Sequence, residues 1–515
     1  MSGPHEALQK EQPEGLLERL RAAADTTPKK RMVSDDEQCL DAAALWLRVE
    51  ALSRWLTDTG CQVLAVMLDN RVDWVLLDLA ARHAGICMVP VPLFFSQEQI
   101  AHLLQQAGVD LMVVESTIPW PGSAQLAAPA ELRRLRVISL EPGDSRPDLN
   151  GVARISFTSG STGRPKGVCL SAANIERVAV ALNDRLRPLA VERHLATLPL
   201  ATLLENIAGV DVPLRSGAEV VLRRMQRLGF EGSSGFNSLH WAAAITEVAP
   251  QSLILIPQLL QALLAVTAAG GLSAQQFKFI AVGGGKVAKA QIEQAQALGL
   301  PVHEGYGLTE NCSVVAVNTP AEARIGSVGR PFDHLQLRFD DSGELHIRGD
   351  SLMLGYLGDE RRAGNDWLAT GDIGHLDADG YLHISGRRKN IFINSFGRNL
   401  SPEWVESEAL ALDGIDQIAL IGDSRPYNVA LIVSRELDLV QAGLDQLNSR
   451  LPDYARIQRW IQVKDPFSYD NGCLTANGRL QREQIQTRYR DAIEALYVQD
   501  VRYAAGAWMR RSGEV

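Results

Sequence analysis

From Cys39 to Val114, segments whose apolar residues recur at helical spacing alternate with short β-branched runs. The spacing predicts helices over 42–57, 74–84 and 98–106, and strands over 63–68, 88–91 and 111–114. This alternation is the signature of an α/β fold. Residues 119–150, rich in proline and glycine and without a period, read as a connection. Patterns resume over 174–264, and 277–282 predicts a buried strand ending on Gly283, Gly284 and Gly285. Between 326 and 385, short strands punctuated by turns such as Asp377 to Gly380 predict a mostly β section. A small α+β pattern follows from 389 to about 497, with a polar tail beyond it and no internal repeat.

A chain of 515 residues is too long for one ordinary domain, so two or more packed units are expected. Hydrophobic residues at 46% and charged residues at 22% give a globular balance, and no apolar run has the length of a membrane span. The polar start, Met1 to Gly15, lacks a signal-type apolar stretch, which predicts a cytoplasmic location. Six scattered cysteines without a Cys-x-x-Cys pair suggest neither a zinc site nor a disulfide framework. A net charge of −10 argues against nucleic acid as the main partner, and the basic clusters at Arg223, Arg224 and Arg227 or Arg510 and Arg511 read as solvated faces.

The chemistry begins at Ser156 to Val168, where three glycines, four hydroxyls after Ser156 and Lys166 lie between two short apolar segments. Freed backbone N–H groups, neutral hydroxyl donors and one ammonium suit a phosphate. A Walker loop requires Gly-Lys-Ser/Thr opening a helix, whereas Lys166 lies between Pro165 and Gly167 and the flanks read as a hairpin. Alone, such a loop is equally a surface turn. Downstream, Gly283 to Gly285 after a strand read as a tight turn or as room for a flat ring. Tyr306 and Gly307 precede Thr309 and Glu310, an aromatic ring for stacking followed by hard oxygen ligands of the kind Mg²⁺ takes. Asp372 sits in a glycine-flanked turn suited to ribose hydroxyls, and Arg387 offers a rigid fork of donors to nucleotide oxygens.

In this order and spacing, these segments resemble the acyl-adenylate-forming family, which includes acyl-CoA synthetases, adenylation domains of peptide synthetases and luciferases. The resemblance covers nearly the whole chain and is strongest to fatty acyl-CoA synthetases. It implies a large N-terminal domain (residues 1–388) of stacked sheets, helices and a distorted β-barrel that binds ATP and acid, and a small mobile α+β lid (residues 389–515). It also implies a two-step ligase reaction: a carboxylate attacks the ATP α-phosphate with Mg²⁺ present, and CoA or a carrier-protein phosphopantetheine then displaces AMP. Under it, Thr158, Ser159, Gly160, Ser161, Thr162, Gly163 and Lys166 hold pyrophosphate and Glu310 holds the metal beside Thr309. Gly283, Gly284, Gly285, Tyr306 and Gly307 receive the nucleotide, Asp372 anchors ribose and Arg387 contacts the nucleotide. Lys389 is the hinge, and Gly397 lies near the thiol's tunnel.

Two positions depart from the family pattern. Where the family carries a catalytic lysine, Arg479 follows Gly478; it retains the charge with a planar fork of different reach. Three readings stay open: a working variant, slow adenylation with thioester formation intact, or an acyl or nucleotide sensor without turnover. In 198–205, Thr202 stands where long-chain synthetases commonly carry histidine. Glu205 and Asp211 keep an amine-bearing acid under consideration, while Leu203, Leu204, Ile207 and Val210 favour an apolar medium-to-long-chain acid. His194, His240, His303 and His375 are not spaced as metal ligands and read as ordinary polar or packed residues.

Overall fold

The computed structural model describes residues 15–116, 124–132, 134–141, 146–158, 165–231, 235–393, 399–475 and 478–498. The predicted alternation is present: helices Ala42–Asp58, Val72–Ala84 and Gln97–Ala107 separate strands Val63–Met67, Cys87–Pro90 and Leu111–Glu115. These strands pair in parallel within an eight-stranded sheet. A second sheet of nine strands has a parallel centre built from Val302–Tyr306, Phe279–Val282, Ser252–Leu255, Arg193–Leu195 and Glu219–Val221. The helix Val72–Ala84 is buried on every face from Val72 to Ala81, because it packs in a core that takes Leu64 and Val113 from one sheet and Val33 and Val220 from the other. A helix enclosed in this way loses its amphipathic pattern.

The 119–150 stretch is more than a connection. Strands Ala124–Leu126 and Leu135–Ser139 extend the eight-stranded sheet antiparallel at its edge. Leu135, Val137 and Ile138 are buried there, a run too short to show through the surrounding prolines and glycines. The β section forms a four-stranded antiparallel sheet from Leu335–Phe339 through Glu344–Gly349 and Leu368–Leu376 to Leu382–Arg387. Beyond it, Gln417–Ile421, Asn428–Val433 and Ile457–Gln462 make a three-stranded sheet with helices Pro402–Leu410 and Leu437–Arg450 packed into its core. This C-terminal part touches the larger one through Tyr469, whose hydroxyl donates to Gln99 Oε1 at 2.5 Å, and whose ring meets Phe94 edge-on.

Two buried acids and two arginines join the layers. Arg82 donates to Asp78 at 2.6 Å and to Asp211 at 2.7 Å, and Arg154 pairs with Asp78 and reaches Asn206. Asp211 is therefore committed to the core rather than free for a substrate ammonium.

Candidate functional site

Parallel strands aim their carboxyl ends at a common edge, where open α/β sheets place ligands. Here that edge gathers Thr158, Gly283, Gly284 and Tyr306 around a cavity of about 2150 Å³ between the large part and the C-terminal part. The predicted hairpin is present: Arg154–Thr158 pairs antiparallel with Lys166–Leu170, with Thr158 opposite Lys166. Ser159, Gly160, Ser161, Thr162 and Gly163 lie outside the described residues, as does Gly397.

Tyr306 and Arg387 meet on one carboxylate. The Tyr306 hydroxyl donates to Asp372 Oδ2 at 2.5 Å, and Arg387 Nε donates to Asp372 Oδ1 at 2.8 Å. Asp372 comes within reach because Leu368–Leu376 pairs with Leu382–Arg387 so that Asp372 stands opposite Arg387. Tyr306 and Arg387 line the cavity, with Asp372 behind them. Burial and the Asp372 charge hold the Tyr306 phenol well above the usual phenol range, so it remains a donor. Burial also lifts the Asp372 carboxyl, against the pull of Arg387.

Thr309 and Glu310 line the same cavity. Glu310 Oε1 accepts from the Tyr356 hydroxyl at 2.9 Å, and the Lys166 ammonium stands 5.4 Å from the centre of the Tyr356 ring. The strand Gly355–Tyr356 pairs with Lys166–Leu170, which brings Tyr356 beside the lysine. Sequence reasoning missed Tyr356; a Gly-Tyr pair in a turn-rich section carries no signal of its own. Glu310 Oε2 has no hydrogen bond among the described residues, leaving a hard oxygen donor of the type Mg²⁺ takes.

The glycines serve different ends. Gly284 has φ of 82°, and its carbonyl accepts from Arg479 Nε at 2.9 Å. Gly285 is outside the lining and faces the Pro257 ring. Gly307 lines the cavity, but a side chain there would overlap the Ser313 carbonyl, so packing alone demands glycine.

Arg479 enters the cavity from the C-terminal part. Its guanidinium opens onto the cavity while protein surrounds it, and that enclosure and Arg387 pull its pKa down against Asp372, Tyr306 and Glu310. Among the described residues, Lys166, Arg387, Lys389 and Arg479 are four of the six lysines and arginines that line the cavity, with Arg187 and Arg482. Such a set neutralises a polyphosphate. Away from it, the cavity continues between Leu182, Val212, Leu253 and Phe279 to His194 and Ser252. His303 lies outside the lining; it stacks on Phe279, and burial lowers its pKa to about 4.

The model of the AMP-binding enzyme family matches residues 20–357, and that of the AMP-binding enzyme C-terminal domain matches residues 389–501. A 2-succinylbenzoate–CoA ligase from Enterococcus faecalis is 31% identical over 365 residues, covering 67% of this chain and 71% of its own. A long-chain-fatty-acid–CoA ligase from Mycobacterium bovis is 25% identical over 563 aligned positions, covering 90% and 92%. In fold, the chain is similar to an anthranilate CoA ligase solved with anthranoyl-AMP, with a TM-score of 0.77, 18% identity and coverage of 93% and 98%. It is also similar to the o-succinylbenzoate CoA synthetase of Bacillus subtilis solved with ATP and magnesium, with a TM-score of 0.70, 22% identity and coverage of 91% and 99%. The protein is an acid–thiol ligase of the AMP-forming class. It belongs to the AMP-binding enzyme family. No helix among the described residues is long and apolar enough to cross a membrane.

Proposed function

We propose that the protein activates a medium-to-long-chain carboxylic acid with ATP and transfers the acyl group to CoA, using residues 1–388 to bind nucleotide and acid and residues 389–515 as a lid. The observation that carries this reading is one cavity that joins Lys166, Arg387, Lys389, Arg479 and Glu310 to an apolar extension. In the first step a carboxylate oxygen attacks the α-phosphorus and the bond to pyrophosphate breaks. Little covalent help is required; charge neutralisation and in-line placement do the work. Lys166 and the hairpin loop hold the leaving pyrophosphate. Arg479 neutralises the attacking carboxylate and the α-phosphate, and Arg387 binds nucleotide oxygens. Asp372 accepts from Tyr306 and Arg387 and has lone pairs left for ribose hydroxyls. Glu310, with Thr309 beside it, would hold Mg²⁺, which supplies further charge neutralisation at the phosphates.

In the second step a thiol sulfur attacks the acyl carbon, the bond to AMP breaks and the thiol proton is lost. Lid rotation about Lys389 exchanges Arg479 for the thiol-binding face, so one cavity serves both steps. An aromatic acid is the second reading, favoured by the succinylbenzoate ligase relative. Mass detection of products from Mg²⁺, ATP and mixed straight-chain and aromatic acids, with and without CoA, tests all of this. Straight-chain acyl-CoA is expected. Aryl-CoA would favour the second reading, acyl-adenylate alone a carrier-protein thiol, and no acid-dependent turnover would overturn the assignment.

A further inference from the structure

The apolar extension of the cavity carries polar side chains that acid activation does not use. We infer that it selects acids bearing a neutral hydrogen-bonding group, a hydroxyl in the first instance, at the end remote from the carboxyl. This rests on the acid-activating reading above.

The direction and length of the extension follow from the sheet. Strands Ser252–Leu255 and Phe279–Val282 are parallel neighbours whose carboxyl ends lead to Ile256 and Gly283 at the nucleotide end. The cavity runs back along them to Ser252 and Phe279 at their amino ends, and on to Ala190 and Val191 before the strand Arg193–Leu195. From Ile256 to Ser252 is four residue steps, about 13 Å at the rise of a β-strand.

At that far end His194 is 2% exposed and fixed on both sides. Its Nδ1 lies 2.9 Å from Ser252 Oγ and its Nε2 lies 3.1 Å from Glu205 Oε1. Glu205 is fully buried, and its other oxygen accepts from the Leu198 backbone N–H at 2.9 Å. His194 and Glu205 are therefore occupied, whereas the Ser252 hydroxyl, with one donor and two acceptor positions, uses only one of them on His194. Asn183 lines the same cavity, is 4% exposed and has no partner for its Oδ1. Buried polar groups are seldom left unpaired, and a half-turn of the amide presents either its donor or its acceptor. A hydroxyl matches both partners, since it accepts from the Asn183 amide and donates to Ser252 Oγ. A methyl end would leave Asn183 unpaired, whereas a second carboxylate would have Arg187, which also lines this end, as its partner, so the dicarboxylic acid is the competitor the test must separate.

The local backbone supports a functional role for this end. Glu205–Asp211 is a π-helical turn, a form concentrated at functional sites. It brings Gly209 against the pair, where a Cβ would overlap Glu205 Oε1 and stand 2.8 Å from His194 Nε2.

The test compares ω-hydroxydecanoic acid, decanoic acid and the matching α,ω-dicarboxylic acid on the full chain, by acid-dependent pyrophosphate release and by calorimetric binding without ATP. The hydroxy acid is expected to exceed decanoic acid by about tenfold in kcat/KM, the ratio one well-made hydrogen bond provides. Asn183→Leu and Ser252→Ala are each expected to bring that ratio close to one. Because both acids are measured on the same preparation, any loss of folded protein cancels. Equal or better use of decanoic acid, preference for the dicarboxylic acid, or an unchanged ratio in both variants would overturn the inference. Preferential binding of the hydroxy acid without turnover would support it while removing the acid-activating reading, and neither binding nor turnover would remove both.

Discussion

Arg479 Nε donates to the Gly284 carbonyl at 2.9 Å across 195 residues of sequence, which brings a cation of the C-terminal part into the cavity of the large part. Gly284 follows the strand Phe279–Val282, and its positive φ turns the chain at the cavity's edge. The arginine thus reaches the same cavity as Lys166, Arg387 and Glu310, which favours a working variant over a sensor.

If Arg479 neutralises charge during adenylation, its removal damages the first step more than the second. Arg479→Ala is expected to slow acid-dependent pyrophosphate release by about a hundredfold, the scale of losing one preorganised charge-stabilising donor. Thioester formation from supplied acyl-adenylate should fall far less. Arg479→Lys should keep or raise the first rate. Equal loss in both half-reactions would assign Arg479 to lid docking instead.

Asp372 holds Tyr306 and Arg387 in place, and the proposed ribose contact would use its remaining acceptor positions. Asp372→Ala is expected to weaken nucleotide binding on the order of 10–100-fold, the cost of losing hydrogen bonds to a charged group. Tyr306→Phe removes one of those bonds and should cost less. Calorimetric titration with ATP checks both, and unchanged affinity in the alanine variant would end the ribose assignment.

Much of this site was legible because its chemistry sits on sharp local signals. The sequence from Thr158 to Lys166 and the run from Tyr306 to Glu310 combine glycine, hydroxyl and charge over a few residues, and Thr158, Lys166 and Tyr306 to Glu310 line the cavity. The alternation from Cys39 to Val114 was legible because each element matches one period of apolar residues. What escaped were features set by pairing across long separations. Tyr356 reaches Glu310 only because its strand joins Lys166–Leu170, and Leu135–Ser139 becomes a strand only beside Leu111–Glu115. His194, read from sequence as an ordinary polar residue, gains its place from Ser252, 58 residues away, and from a π-helical turn that no propensity announces.

Gly209 gives that turn a direct test. Adding a methyl group forces it against the Glu205 carboxylate beneath His194, so Gly209→Ala is expected to cost about 1–3 kcal/mol, the usual range for overpacking. Chemical denaturation measures the loss. Glu205→Ala opens the space the methyl needs, so the double variant should be less destabilised than the sum of the two single ones. Simple additivity would show that the two residues do not press on each other.

Glu304 couples stability to pH. Burial raises its carboxyl from 4.5 to about 7, against the pull of Lys286, so the folded chain keeps a proton that the unfolded chain releases. Stability falls with pH wherever the folded state binds more protons, which here is the window from 4.5 to about 7. Below the window both states are protonated and Glu304 resembles glutamine. Above it the penalty is constant, on the order of 3 kcal/mol for a shift of this size. Glu304→Gln should therefore unfold with wild type at acid pH, draw ahead as pH rises through the window, and hold a fixed advantage above it. Denaturant midpoints across that range decide the matter, and parallel curves at all pH values would mean that Glu304 ionises freely in the folded chain.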